Sequence, residues 1–261
     1  MSDAAEADAV LLSVVDGVAR ITLNRPHRLN AVDPAAIERW RDIAHDVAGR
    51  ADVGAVILDA AGRAFCAGGD LRAMRELAGD GDGAGRTITK LADVIHEGHQ
   101  VLRNSDKPIV AAVQGPVAGG GLGFMLVADL IVASDAASFS SRYADAGLTP
   151  DCGVSWLLPE AVGTRRALEL VLTSRTLGPA EALEWGLVTE VVATDRLAAR
   201  VEEIARTWVD GATGAFGQAK RLVRAASERP FAVSLDDEAV TIGQAFETAD
   251  AQARIAAFTA R

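Results

Sequence analysis

The chain has 261 residues, 49% hydrophobic and 24% charged, with 26 basic against 36 acidic side chains and a formal net charge of −10. That length buries a full core in one large α/β domain, or a domain with an appendage. The acidic surplus argues against a nucleic-acid backbone or an anionic membrane as main partner, so a phosphate-bearing ligand requires a local basic patch.

Two cysteines, Cys66 and Cys152, are too few for a disulfide framework; they fit a reducing compartment and small packing roles. Met1 to Ala9 is acidic and alanine-rich, without the basic and apolar regions of a secretory signal, which makes the cytoplasm the expected location. Val10–Val15 and Val18–Leu23 flank Asp16-Gly17, a dipeptide that tolerates positive φ, and predict a β-hairpin. Asp33-Pro34 supplies an N-cap and first-turn proline for a helix with Ile37, Trp40, Ala44 and Val47 on one face. Val53–Leu58 reads as a buried strand and Arg72–Leu77 as helical. Ala78 to Arg86 reads as a mobile, solvated loop in which Asp80 and Asp82 fall short of a calcium motif, since Ala84 breaks the next ligand position.

A strand is expected at Ile109–Val113, a helix near Leu122–Ala128 and a strand at Leu130–Ala133. The apolar tract Val117 to Ala133 contains four glycines and Asp129 and falls short of a membrane span. Thr164 is placed as the cap of a helix through Leu172, Pro179 opens another ending at Gly186, and Leu187–Val192 reads as a strand. Beyond about residue 195 strand signals vanish. Leu197–Trp208, Gln218–Ala226 and Leu235–Phe258 look helical, and their apolar stripes need a surface to bury against, on the main domain or on another subunit. The expected division is 1–195 and 196–261.

Two glycine-rich segments carry the chemistry. Phe65-Cys66-Ala67-Gly68-Gly69-Asp70-Leu71 leads from a strand into a helix, where small side chains let backbone N–H groups approach a ligand oxygen and the helix start adds positive potential. Gln114-Gly115-Pro116-Val117-Ala118-Gly119-Gly120-Gly121-Leu122-Gly123 has the same context, and its glycine spacing differs from the dinucleotide fingerprint. Alone, each reads equally as turn chemistry.

Together, with Lys107–Val113 between them and with Leu23-Asn24-Arg25-Pro26 and Asn30-Ala31 upstream, they resemble the crotonase, or enoyl-CoA hydratase/isomerase, superfamily over essentially the whole chain. The resemblance implies a crotonase-like spiral of repeated ββα units with a C-terminal helical trimerisation region, assembled as homotrimers or hexamers, and an acyl-CoA substrate. It implies that the N–H groups of Ala67 and Gly120 form an oxyanion hole, with Arg25 and the turn Ala67, Gly68, Gly69, Asp70 and Leu71 along the CoA. Coenzyme A arrives as part of the substrate, and no metal or separate cofactor is expected.

The family's hydratases use two glutamates. Here those positions are Gly123, which has no side chain, and Tyr143, a poor base near neutral pH that is expected to line the substrate site. Asp145 lies off the matching position and reads as a surface acid. Asp151, in Ala146–Pro159, offers a replacement, although an aspartate after proline is often a helix cap. This stretch resembles the branch of 1,2-epoxyphenylacetyl-CoA isomerases of phenylacetate degradation and Δ3,Δ2-enoyl-CoA isomerases of fatty acid metabolism. The resemblance implies double-bond migration with Asp151 as the proton carrier. The alternatives are hydration or another crotonase-type reaction, such as hydrolysis or dehalogenation, or acyl-CoA binding without turnover. Trp156, Leu157 and Leu158 are expected to desolvate Asp151 and raise its pKa. His96 and His99, one turn apart with Asp93 nearby, read as a solvated helix face; His27, His45, Ser140 and Ser141 lack triad partners. Lys220 and Arg221 are candidates for CoA phosphates or solvated charges.

Overall fold

The computed structural model describes residues 9–78 and 83–260. Residues 1–8 of the expected acidic tail, and the tip of the glycine-rich loop with Asp80 and Asp82, lie outside the described residues.

Strands β1 (Val10–Val15) and β2 (Val18–Leu23) pair antiparallel. Asp16 (φ 48°) and Gly17 (φ 79°) both take the left-handed conformation that matches a two-residue turn to the strand twist. Helix α1 (Pro34–Gly49) begins on Asp33, whose carboxylate accepts the Ala36 N–H at 2.9 Å. It buries Ile37, Trp40, Ile43, Ala44 and Val47 along one stripe. Then come β3 (Ala55–Ala60), α2 (Leu71–Ala78), α3 (Ala84–Asn104), β4 (Ile109–Val113), β5 (Pro116–Ala118), α4 (Gly121–Leu126), β6 (Leu130–Ser134) and β7 (Ser138–Ser140). They are followed by α5 (Val154–Val162), α6 (Thr164–Thr173), β8 (Thr176–Leu177), α7 (Pro179–Trp185) and β9 (Glu190–Val192). The chain ends in α8 (Leu197–Asp210), α9 (Thr213–Ala225), α10 (Phe231–Phe246) and α11 (Ala249–Thr259).

The main sheet has the order β1-β2-β3-β4-β6-β9, parallel from β2 onward, and β5-β7-β8 form a second, smaller sheet. Two strands followed by a helix recur as β1-β2-α1, β4-β5-α4 and β6-β7-α5, the crotonase-like spiral of ββα units. Alternation along the strands divides the core. Val56, Leu58, Ala111 and Val113 face the layer containing Trp40 and Phe124, whereas Ala55, Ile57, Val110 and Ala112 face α8 through Leu197, Val201 and Ala205. Helix α8 therefore covers the back of the sheet rather than standing apart from it. By contrast, α10 and α11 leave Phe231, Ile242 and Phe258 at least 70% exposed.

Several boundaries move. The third strand starts two residues late and runs through Asp59, whose carboxylate accepts from Thr22 Oγ1 and Arg20 Nη1, both at 2.6 Å. Ala84 to Arg86, expected as loop, is the first turn of α3. Gly163, not Thr164, occupies the cap of α6. The strand expected from Leu187 is confined to Glu190–Val192. The long terminal helix breaks at Thr248, whose hydroxyl accepts the Ala251 N–H at 3.2 Å and starts α11. No helix of the described residues is long and apolar enough to cross a membrane.

His99 is not on a solvated face. It is buried, its Nδ1 accepts the Trp40 Nε1–H at 3.1 Å, and Trp40, His99 and Phe124 meet edge-to-face. Burial, reinforced by His96, pushes its pKa from 6.5 to about 3. Between those values the unfolded chain binds the proton and the folded chain does not, so stability falls as pH drops from 6.5 towards 3, by up to about 1.4 kcal/mol per pH unit. Urea midpoints at pH 7 and pH 4.5 should therefore converge in His99→Gln relative to the parent; an undiminished gap would clear His99 of the effect.

Lys220 is buried and spent on protein partners, and Arg221, partly exposed, is held in an ion pair. Lys220 Nζ is buried and reaches Asp129 Oδ2 (3.2 Å) and the carbonyls of Leu102 (3.1 Å) and Lys107 (2.8 Å), while Arg221 pairs with Asp237 at 2.7 Å. Lys220 thus bolts α9 to the end of α3 and the start of β4. Lys220→Met should lower the unfolding free energy by about 3 kcal/mol, since it leaves buried acceptors without a donor. Unchanged chemical denaturation would refute the anchoring.

Candidate active site

The two glycine-rich turns leave the carboxyl ends of β3 and β4, the edge of a parallel sheet where ligands commonly bind. They lie in direct contact: a methyl group on Gly68 (φ 89°) would sit 2.9 Å from the Gly120 nitrogen and 3.0 Å from the Ala118 oxygen. A bridge between Cys66 and Val117 joins the two segments.

Ala67, one of the two expected N–H donors, is already committed, since it donates to the Leu29 carbonyl at 3.0 Å. The N–H facing outward is two residues on. Gly69 forms a parallel bridge with Val32, made by Val32 N–H to the Gly68 oxygen and Asp70 N–H to the Val32 oxygen, both 2.8 Å. The flanking residues make those bonds, so the N–H of Gly69 itself projects to the other side. Gly120, at the cap of α4, has an N–H of the kind left without a partner inside a helix.

Asp70 is a helix cap. Its carboxylate accepts from the N–H groups of Arg72 (3.0 Å) and Ala73 (3.4 Å) and meets Arg25 Nη1 at 3.3 Å. Burial pushes its pKa up, but the Ala73 and Arg72 N–H groups and Arg25 outweigh it and hold the carboxyl below its ordinary value. Arg25 is occupied as well, with Nη2 at 2.6 Å from Asp33 and Nη1 on the Ala31 carbonyl. Rather than reaching out along a ligand, Arg25 ties the Asp33 and Asp70 caps together. Leu71 is exposed, beside a groove of about 390 Å³ lined by His27, Arg28, Arg63 and Arg72. That is a local basic patch on an acidic protein.

Asp151 is free of capping duty. The cap of α5 is Gly153, without a side-chain bond, and Cys152 (φ 51°) and Gly153 (φ 76°) turn the chain so that Asp151 faces a cavity. Gly69, Asp151 and Cys152 line this narrow cavity of about 50 Å³, walled by Met74, Ile88 and Ile95. A methyl group on Gly120 would lie 3.0 Å from Cys152 Sγ, 3.5 Å from Asp151 Oδ1 and 3.6 Å from Tyr143 Oη. The carboxylate and both turns therefore share one space. Trp156, expected to shield Asp151, is instead exposed beneath the Arg103 guanidinium at 4.6 Å, and the cavity wall comes from α1, α2 and α3.

Tyr143 Oη donates to Asp151 Oδ1 at 2.6 Å. Burial first, then Cys152 and Asp151, push the phenol pKa up, and burial and Asp151 do the same for the Cys152 thiol, so both stay protonated donors. Cys66, wholly buried, is pushed up to about 12 and donates to the Asn30 carbonyl at 3.2 Å, a packing role. Asp145 is exposed and paired with Arg142 at 3.0 Å. A larger hollow of about 530 Å³ lies at the opposite, amino-terminal edge of β4 and β6, where Lys220 and Arg224 each pair with Asp129.

The parts that sequence reasoning missed are the Gly69 N–H, Cys152, the α3 wall and the basic groove. The α3 wall had a signal in the helical spacing of Ile88, Ala92 and Ile95; the others depend on tertiary register.

Residues 14–261 match the family described as enoyl-CoA hydratase/isomerase, and the chain belongs to that family. It is 31% identical over 253 residues to 1,2-epoxyphenylacetyl-CoA isomerase of Escherichia coli, covering 97% of this chain and 95% of that one. It is 35% identical over 212 residues to 4-chlorobenzoyl coenzyme A dehalogenase-2 of an Arthrobacter species, covering 81% and 76%. A crystal structure of an enoyl-CoA hydratase/isomerase from Mycobacterium abscessus superposes with a TM-score of 0.91 at 32% identity, over 97% and 96% of the two chains.

Gly123 is closed to any side chain, because a methyl there would lie 2.0 Å from the Cys152 carbonyl oxygen and 2.6 Å from its Cβ. Gly123→Glu should therefore lose stability by about 3 kcal/mol or more and gain no hydration of crotonyl-CoA. A stable, water-adding Gly123→Glu would show that the turn yields.

Proposed function

We propose that the protein is an enoyl-CoA isomerase that shifts a double bond in an acyl-CoA thioester by proton transfer through Asp151. The observation that carries this reading is one carboxylate, Asp151, that among the described residues caps no helix and pairs with no cation, sharing a small cavity with Gly69 and lying beside Gly120, while Asp33 and Asp70 of the same cavity are spent on helix caps and Arg25. In the proposed reaction the thioester oxygen sits between the N–H groups of Gly69 and Gly120. Asp151 removes a proton from the carbon beside the carbonyl, and charge moves to that oxygen, where a preorganised N–H donor is worth roughly 3 kcal/mol. Asp151 then returns the proton two carbons away. No oxidation state changes, so the reaction asks for no redox cofactor.

The basic groove of Arg28, Arg63 and Arg72 beside the same turn supports binding of the nucleotide phosphates of CoA. The blocked position at Gly123 argues against the two-acid placement of water that hydration requires. A homotrimer or hexamer is proposed to cover the exposed apolar residues of α10 and α11, with 196–261 contributing to assembly.

A second reading, nucleophilic attack by Asp151 as in dehalogenation, is supported by the likeness to the Arthrobacter protein. The two part on one experiment. Supplied with a 3-enoyl-CoA, the protein should form the conjugated 2-enoyl-CoA, followed by its ultraviolet absorbance, and Asp151→Asn should lose about 10²- to 10⁴-fold in kcat/KM while keeping its circular dichroism. Full activity in that variant would remove Asp151 as base, and release of chloride from 4-chlorobenzoyl-CoA with a transient covalent adduct on Asp151 would favour the second reading.

A further inference from the structure

The Asp151 carboxylate does not stand alone. Tyr143 Oη donates its one proton to Oδ1 at 2.6 Å and also lies 3.3 Å from the Asp151 main-chain oxygen, so the phenol sits close against this residue. Tyr143 is itself only 8% exposed, and its ring is part of the buried core. Cys152 lies beside the same carboxylate: Sγ, Oδ1 and Oη converge on the surface of Gly120, at 3.0, 3.5 and 3.6 Å from the position a methyl group there would take. A rotating carboxylate offers two equivalent oxygens; one held by a short hydrogen bond from a buried, rigid ring does not. Among the described residues no hydrogen bond is made to Oδ2, and Asp151 lines the cavity.

We propose that Tyr143 is a positioning residue that confines proton transfer to one oxygen of Asp151, so that removal and return of the proton occur through the same atom and on the same face of the substrate. This rests on the isomerase reading above. The step balances within the pair. The C–H bond beside the carbonyl breaks, its proton joins Oδ2, and its electrons delocalise over the thioester and the former double bond. The O–H bond then breaks as the new C–H bond forms two carbons away, restoring the carboxylate. Because Oδ1 is engaged and the cavity of about 50 Å³ is narrow, with Asp33 and Asp70 held by Arg25, the proton on Oδ2 has few competing acceptors between the two events. Tyr143 and Cys152 are both held in their protonated forms and so do not themselves accept it.

The experiment follows an isotope. A 3-enoyl-CoA deuterated beside the carbonyl is turned over in ordinary water, and deuterium at the receiving carbon is read by mass spectrometry. The parent should retain a substantial share of the label. Tyr143→Phe, which keeps the ring and removes the hydroxyl, should lower kcat about tenfold or more with KM within about twofold, the effect of one hydrogen bond to a charged group, and should lose most of the retained label. A purely structural role would move stability and not label retention. Tyr143 is the only tyrosine in the chain, so uniform 3-fluorotyrosine incorporation places one fluorine probe beside Asp151 without a substitution. Its resonance should shift in Asp151→Asn, and this readout stands even if Tyr143→Phe fails to fold. Label retention and kcat unchanged in Tyr143→Phe, or a fluorine resonance indifferent to Asp151→Asn, would overturn the proposal while leaving the isomerase reading intact. A parent protein that neither isomerises the 3-enoyl-CoA nor exchanges the α-protons of butyryl-CoA in heavy water would overturn both.

Discussion

The contact between two main-chain turns, with Gly68 packed against the Gly120 nitrogen, governs the rest of the site. The glycines at the contact have no side chains to hold it, so the force comes from around them, in part from Gln114, whose Nε2 donates to the Ala60, Gly62 and Ala64 carbonyls at 2.8, 3.1 and 2.9 Å. The Val32 bridge fixes one strand-like edge of the first turn, Arg25 joins the Asp33 and Asp70 caps beneath it, and Asn30 donates to the Ala61 and Ala64 carbonyls at 2.8 Å. Charged and polar groups that look available for a ligand are thereby used to aim backbone N–H groups. Preorganisation of that kind is what makes dipoles effective against a developing charge, since nothing has to move when the charge appears.

The same economy explains where the acid comes from. With no room for a side chain at Gly123, the Cys152 backbone has drawn into the space beside α4, and the left-handed pair Cys152-Gly153 brings Asp151 over the cavity. Tyr143, where a water-activating family member has a carboxylate, becomes a donor to that acid instead of a competitor.

Local signals were the legible ones. Asp16-Gly17, Asp33-Pro34 and the apolar run Ile109–Val113 each specify their element through neighbours in sequence, and the structure has them at the expected residues. The glycine-rich turns were visible for the same reason. What could not be read was direction. Which N–H in Ala67–Gly69 is free depends on a register with Val32 and Leu29, residues more than thirty positions away, so the donor moved from Ala67 to Gly69. His99 and Lys220 carried surface-like signatures because periodicity cannot tell which stripe of a helix meets a neighbour when a polar residue lies on it. Their partners, Trp40 and Asp129, become adjacent only after folding. Arg25 was legible as important, but its pairing with Asp33 and Asp70 was not, since that is a tertiary fact.

The collision at Gly123 also sets a condition on redesign. Placing an acid there demands that the 150–153 turn withdraw from α4 at the same time, because the substitution alone drives its Cβ into the Cys152 main chain. The cavity wall from α2 and α3 carries no such coupling, so it is the more permissive place to alter what the cavity accepts.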